Sequence, residues 1–155
     1  MICIPAHMQP GQARSFTSNG IEVACTKFAL PNGSHMQIFV LYKSPRVRLQ
    51  ALTDMLSTLL MYASANNGPN IMLGDFNEDI LSHHNSSIVT LMSNHGYSQL
   101  VTSPTTDQGT LIDHVYYNGH IANIIVETCD TCYSDHDTIL LLTLVLSLIC
   151  LQTYL

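Results

Sequence analysis

Apolar and polar positions fall into blocks whose period changes along the chain. Residues 21–30 read as an extended strand, and residues 36–42 form a second, nearly continuous apolar run. Between them Pro31-Asn32-Gly33-Ser34 has turn chemistry, because Asn-Gly tolerates positive φ and Pro sets the entry angle, so the two strands form a hairpin. Ser44-Pro45 fits a helix cap followed by Pro in the first turn, and Leu49, Leu52, Leu56, Leu59, Leu60 and Ala63 then recur at helical spacing. Asn66-Asn67-Gly68-Pro69 stops that helix, and residues 70–73 make a short apolar strand. Ser86 or Ser87 caps a second helix carrying Ile88, Leu91 and Met92, closed by Gly96. Strands are expected over residues 111–117 and 121–128 around Asn118-Gly119, with an apolar run at 139–146. Residues 1–20, broken by Pro5, Pro10, Gly11, Asn19 and Gly20, read as an irregular segment before a domain at 21–146, and residues 147–155 as an apolar tail. Hairpins interspersed with helices predict an α/β chain with helix layers on sheet faces.

Composition narrows the function. Apolar residues make up 46% of the 155 and charged residues 10%, which excludes a disordered or polyelectrolyte chain. Five Lys+Arg against eleven Asp+Glu give a formal charge of −6, so nucleic acid cannot be held by a broad basic surface. Contact with phosphate must be local or aided by a bound cation. No secretory apolar run follows Met1, and the five cysteines are odd in number, so an intracellular setting with reduced thiols, in cytoplasm or nucleus rather than secreted, is expected. Cys129-x-x-Cys132 lacks the second pair that a structural zinc site needs, and His83-His84 reads as loop. Residues 138–155 hold no charged side chain, but Thr138, Thr143, Ser147, Gln152 and Thr153 dilute the run and no basic flank follows, so it reads as a buried strand and an apolar end rather than a membrane span. Lys43, Arg46 and Arg48 read as a solvated first turn or as facing a phosphate backbone, Glu78 and Asp79 as solvent-facing or complementing a helix start, and His114 as a packed or surface ring turned away from Asp113.

Three carboxylates stand at or inside apolar strands, where an ionised group is costly. Asp75 follows Ile71-Met72-Leu73-Gly74, Asp113 lies between Leu111-Ile112 and Val115-Tyr116-Tyr117, and Asp135 with His136 leads into Ile139-Leu140-Leu141-Leu142. Strand ends are where open α/β sheets place ligand sites. Clustered carboxylates beside a His and an Asn suit a divalent cation and a phosphoryl group, with carboxylate oxygens on the metal and His and Asn donating to developing negative charge.

Gly74-Asp75-Phe76-Asn77, then Leu111-Ile112-Asp113-His114-Val115, then Ser134-Asp135-His136-Asp137 resemble, in order and rough spacing, the GDFN, IDxV and SDH signatures of the endonuclease/exonuclease/phosphatase superfamily. Val40-Leu41-Tyr42-Lys43-Ser44-Pro45 is similar to that family's Tyr-x-x-Pro segment, and Thr105-Thr106-Asp107-Gln108-Gly109-Thr110 resembles sequence in mobile-element endonuclease domains. The resemblance implies a partial four-layer α/β/β/α sandwich of the DNase I-like kind. It implies that Asp75 positions or deprotonates the attacking water, Asn77 binds phosphoryl oxygens, and Tyr42 touches the phosphate. It further implies that His136 hydrogen-bonds the scissile phosphate while Asp113 orients its imidazole, and that Asp135 serves the metal, Mg²⁺ or Mn²⁺, weakly held, or positions the water. DNA is the implied substrate, cleaved as a phosphodiester by metal-assisted water attack.

The match covers residues 21–146, so the family's N-terminal strands, with their principal metal-binding Glu, are expected to be lacking. Glu22 lies on a strand whose family counterpart has no metal role. A truncated copy of this kind would expose an apolar sheet face and dissolve poorly. Three activities stay open: a metal-dependent endonuclease, a catalytically inactive remnant of such a domain, and a phosphatase acting on a small phosphorylated molecule.

Overall fold

The computed structural model describes residues 2–3, 10–82, 87–120, 124–131, 134–143 and 147–151. His83 and His84, Ser86 and Cys132 lie outside them. The elements run β1 (Ile2–Cys3), β2 (Arg14–Ser18), β3 (Ile21–Ala29), β4 (His35–Lys43), α1 (Leu49–Ala63), β5 (Asn70–Asp75), α2 (Ser87–Asn94), β6 (Ser98–Gln99), β7 (Asp113–Tyr117), β8 (Ile124–Cys129), β9 (Thr138–Thr143) and β10 (Ser147–Leu151). Six strands form one sheet in the order β2-β3-β4-β5-β7-β6, and four form another in the order β1-β10-β9-β8. All neighbours are antiparallel except β4 and β5, which run parallel and are joined through α1.

Alternation along the strands of the six-stranded sheet sends its residues into two cores. On one face Ile21, Val23, Phe39, Leu41, Met72 and Tyr116 meet Leu52, Leu56, Leu59 and Leu60 of α1 and Ile88 and Met92 of α2. On the other, Phe28, Ile38, Ile71, Leu73, Val115 and Tyr117 pack against Ile124 of β8 and Ile139 of β9. The described residues thus stack as helices, sheet and sheet, three of the four layers of the expected DNase I-like α/β fold. At β3 the inter-sheet face is open, with Glu22 and Ala24 exposed.

Several expectations need correction. Residues 1–20 are not wholly irregular, since Ile2–Cys3 and Arg14–Ser18 are paired strands. Asn19 and Gly20, at φ of 46° and 85°, make the two-residue turn that returns β2 onto β3. Residues 147–155 are not a separate tail, because Ser147–Leu151 is a strand between β9 and β1. The first helix begins at Leu49 rather than after Ser44: Arg48 at its N-cap is extended, and residues 44–47 form a turn in which the Val47 N–H donates to the Ser44 carbonyl. Ser98–Gln99 is a short strand not foreseen. Among the described residues no helix is long and apolar enough to cross a membrane.

Candidate active site

The sheet register builds the site. Tyr42 on β4 stands opposite Asp75 on β5, and Asp75 opposite Asp113 on β7, so the three share one row on the face turned to the second sheet. Glu22 of β3 stands opposite Tyr42 and extends the row, exposed to solvent. Gly74 makes this pairing possible: at φ 139°, a Cβ there would lie 1.9 Å from the Leu41 carbonyl oxygen. Only a residue with no side chain lets β5 approach β4 this closely.

Beyond Asp75 the chain turns sharply. Asn77 adopts the left-handed conformation at φ 46°, which Asn tolerates better than most residues. Its backbone N–H donates to Asp75 Oδ1 at 2.9 Å, and its side-chain amide donates to Asp75 Oδ2 and to the Lys43 carbonyl, each at 2.9 Å. Both amide protons are therefore committed inside the protein, leaving Oδ1 as the free end. Burial pushes the Asp75 carboxyl up to about 6, the Asn77 N–H opposing the shift and the neighbouring Asp113 adding to it.

Lys43 and Glu78, expected in solvent, instead brace this turn. Lys43 is 1% exposed, and its Nζ lies 3.0 Å from Glu78 Oε1 and donates to the Asn77 carbonyl at 3.3 Å. His114 grips the same loop from β7. Its Nε2 lies 2.9 Å from the Glu78 carbonyl and 3.3 Å from that of Leu111, two acceptors that put the proton on Nε2. The ring stacks on Phe76 with centroids 4.5 Å apart, and burial lowers its pKa to about 4, so it stays neutral.

His136 reaches the row from the loop before β9. Its Nδ1–H donates to Asp113 Oδ2 at 2.9 Å, the bond expected of this pair. Burial alone would lower the imidazole's pKa, but the Asp113 charge and hydrogen bond, helped by Asp75 and Asp135, raise it. Asp113 is fully buried, and desolvation raises its carboxyl although His136 pulls it down. Asp113 Oδ1 has no partner among the described residues. The segment 105–110 docks the His136 loop onto β7: Thr105 Oγ1 accepts the Ile112 and Asp113 N–H groups, and the Thr105 carbonyl accepts the Asp137 N–H.

Asp135 is exposed beside His136. Among the described residues no group of three or more His, Cys, Asp or Glu side chains could hold a metal ion. A hard divalent cation takes about six oxygens, and Asp135 and Asp75 offer too few to enclose one. Cys129 is exposed, and the rest of its Cys-x-x-Cys pair is outside the described residues.

Tyr42, Asp75, Asn77, Asp113 and His136 are thus gathered at one end of the six-stranded sheet. Lys43, Glu78, His114 and Thr105 are the residues around them that motif reasoning set aside, and their signal lies in contacts rather than in spacing. No family model matches the sequence, and no curated protein does. Solved structures do match. The chain is similar to the human Nocturnin catalytic domain with bound sulfate, at 18% identity and TM-score 0.56, over 92% of this chain and 58% of that one. It is similar to the endonuclease domain of TRAS1, a telomere-specific non-LTR retrotransposon, at 13% identity and TM-score 0.63, over 93% and 66%. It is similar to an endonuclease/exonuclease/phosphatase family protein from Bacteroides thetaiotaomicron, at 15% identity and TM-score 0.52, over 96% and 64%. The fold is therefore that of the endonuclease/exonuclease/phosphatase, or DNase I-like, proteins, and the chain spans between 58% and 66% of the length of these neighbours.

Proposed function

We propose that the site is a phosphodiester-hydrolysing centre, endonuclease-like and acting on DNA. The observation that carries this reading is the His136–Asp113 pair next to a carboxyl of near-neutral pKa. Asp113 occupies Nδ1 and favours the protonated imidazole, the form in which Nε2–H donates to a non-bridging phosphate oxygen as charge develops there. Asp75, with a pKa of about 6, is ionised at neutral pH yet basic enough to take a proton from an attacking water. Tyr42, half-buried in the same row, supplies a hydroxyl toward the phosphate. Asn77 acts on Asp75 rather than on the substrate, since its amide protons are spent on Asp75 and Lys43. Asp135 is the residue that would meet Mg²⁺ or Mn²⁺, and no step above depends on the metal. The retrotransposon endonuclease domain among the structural neighbours supports DNA over a small phosphorylated molecule.

The test is nicking of supercoiled plasmid with Mg²⁺ or Mn²⁺, comparing the wild type with His136→Ala and Asp75→Ala. Cleavage lost in both variants is expected, and equal activity in all three proteins ends the assignment. The second reading, an inactive remnant, is favoured by the lack of a metal-enclosing cluster among the described residues. Absence of turnover at any metal concentration would establish it.

A further inference from the structure

A cleft of about 540 Å³ lies at the opposite end of the six-stranded sheet from the catalytic row, on its helix-facing side. Its walls come from β2, β3, β4 and α1, with Arg14, Cys25, Lys27, His35, Gln37 and Tyr62 among its lining residues. Lys27 stands directly opposite Gln37, and Arg14 opposite Cys25. The volume is within the range of small-molecule sites.

Three features give the cleft a chemistry. Two of the chain's five Lys and Arg residues line it, and no carboxylate does, although acidic residues outnumber basic ones eleven to five. Neither Arg14 nor Lys27 is within salt-bridge distance of an Asp or Glu, all of which belong to the described residues. The Arg14 guanidinium lies instead 5.7 Å from the centre of the Tyr62 ring, which holds it at the wall. The third feature is Gln37, wholly buried, whose Nε2 donates to Cys25 Sγ at 3.0 Å while Oε1 has no partner among the described residues. A buried amide oxygen without a protein donor can accept a hydrogen bond from a ligand hydroxyl or N–H.

We propose that this cleft is a second binding site, separate from the catalytic row, for a small phosphomonoester bearing a hydroxyl or N–H donor. Arg14 and Lys27 take the phosphate, the guanidinium fork and the ammonium matching its oxygens. Gln37 Oε1 accepts the ligand's donor and selects against phosphates that lack one. This assignment does not depend on the catalytic reading.

The experiment is an amide NMR titration with two probes, glycerol 3-phosphate, which carries hydroxyl donors, and methyl phosphate, which has no carbon-borne hydroxyl. Glycerol 3-phosphate is expected to shift the backbone signals of Gly11, Arg14, Lys27 and Gln37, with an affinity at least about fivefold tighter than methyl phosphate. Arg14→Ala with Lys27→Ala should weaken both probes about tenfold or more, whereas Gln37→Leu should weaken glycerol 3-phosphate alone. Because Gln37→Leu alters a buried position, Arg14→Gln, at an exposed one, serves as the variant that preserves the fold. His136→Ala should leave the titration unchanged. Shifts confined to Asp113 and His136, no saturable binding up to about 10 mM, or binding indifferent to the Arg14 and Lys27 changes would each overturn the proposal.

Discussion

Replacing Lys43 by Met tests whether the turn after β5 is braced by charge. Met keeps the length and volume of the buried stem but removes the ammonium, and with it the 3.0 Å contact to Glu78 and the 3.3 Å bond to the Asn77 carbonyl. Exposed ion pairs contribute about 0–1 kcal/mol, while breaking a fully buried pair costs about 3–5 kcal/mol. Here one partner is 1% exposed and the other 27%, so the pair falls between these limits. A coupling of about 2 kcal/mol between positions 43 and 78 is expected. The assay is urea unfolding of the wild type, Lys43→Met, Glu78→Gln and the double variant at neutral pH. Glu78→Gln should cost more than Lys43→Met, because it leaves the buried Lys43 ammonium without its counter-charge, whereas Glu78 is part-exposed and can be hydrated. A coupling below about 0.5 kcal/mol would mean that the ion pair is incidental and that the backbone alone holds the turn.

The other predictions concern the same end of the sheet. Asp75 has a folded pKa of about 6 against an ordinary value of 3.8, so the folded state holds its proton more tightly and stability falls as pH rises between those values; Asp75→Asn should abolish that decline in melting temperature against pH. For His136, raised by Asp113, the sign is the same at higher pH: its contribution is complete below the unfolded value of 6.5 and is lost as pH rises through the higher folded pKa. Asp113→Asn should bring the His136 ring titration, followed by NMR, down from its raised position. Gly74→Ala should cost at least about 3 kcal/mol or prevent folding, since the new Cβ meets the Leu41 carbonyl, with urea unfolding or loss of soluble protein as the readout. Asn77→Ala removes both side-chain bonds and the residue's tolerance of positive φ, so the Asp75 carboxyl should titrate higher, visible in its carboxyl carbon shift.

How much of this was legible in the sequence depends on what each residue's role rests on. Leu52, Leu56, Leu59 and Leu60 announce α1 because burial of one helical stripe leaves a period in the chain. Asp75, Asp113 and His136 stand out because polar groups in apolar strands conflict with their surroundings. β2 was hidden because Arg14–Ser18 is an edge strand with one partner and a polar composition, so its burial leaves no alternation. Lys43 read as solvent-facing because a lysine declares its burial only through its counter-charge, and Glu78 lies 35 positions away, brought back by the β4–β5 crossover. The helix start misled for a similar reason, since the Ser44 N–H is committed to the Gly20 carbonyl of the β2–β3 turn.

The parallel pairing of β4 with β5 also bears on how the molecule is made. Tyr42, Asp75 and Asp113 belong to segments far apart in the chain, and neither half of the row exists until α1 has crossed over and β7 has zipped onto β5. The β3–β4 hairpin closes through a short turn and can form early, whereas the two closures that create the row are long and entropically slow. A nascent or partly folded chain would carry the hairpin without the pocket, so competence for phosphate chemistry should emerge as the final event of folding. Because strand neighbours alternate faces, a slip of one residue between β4 and β5 would turn Asp75 into the helix-side core, leaving a misfolded form inert rather than promiscuous.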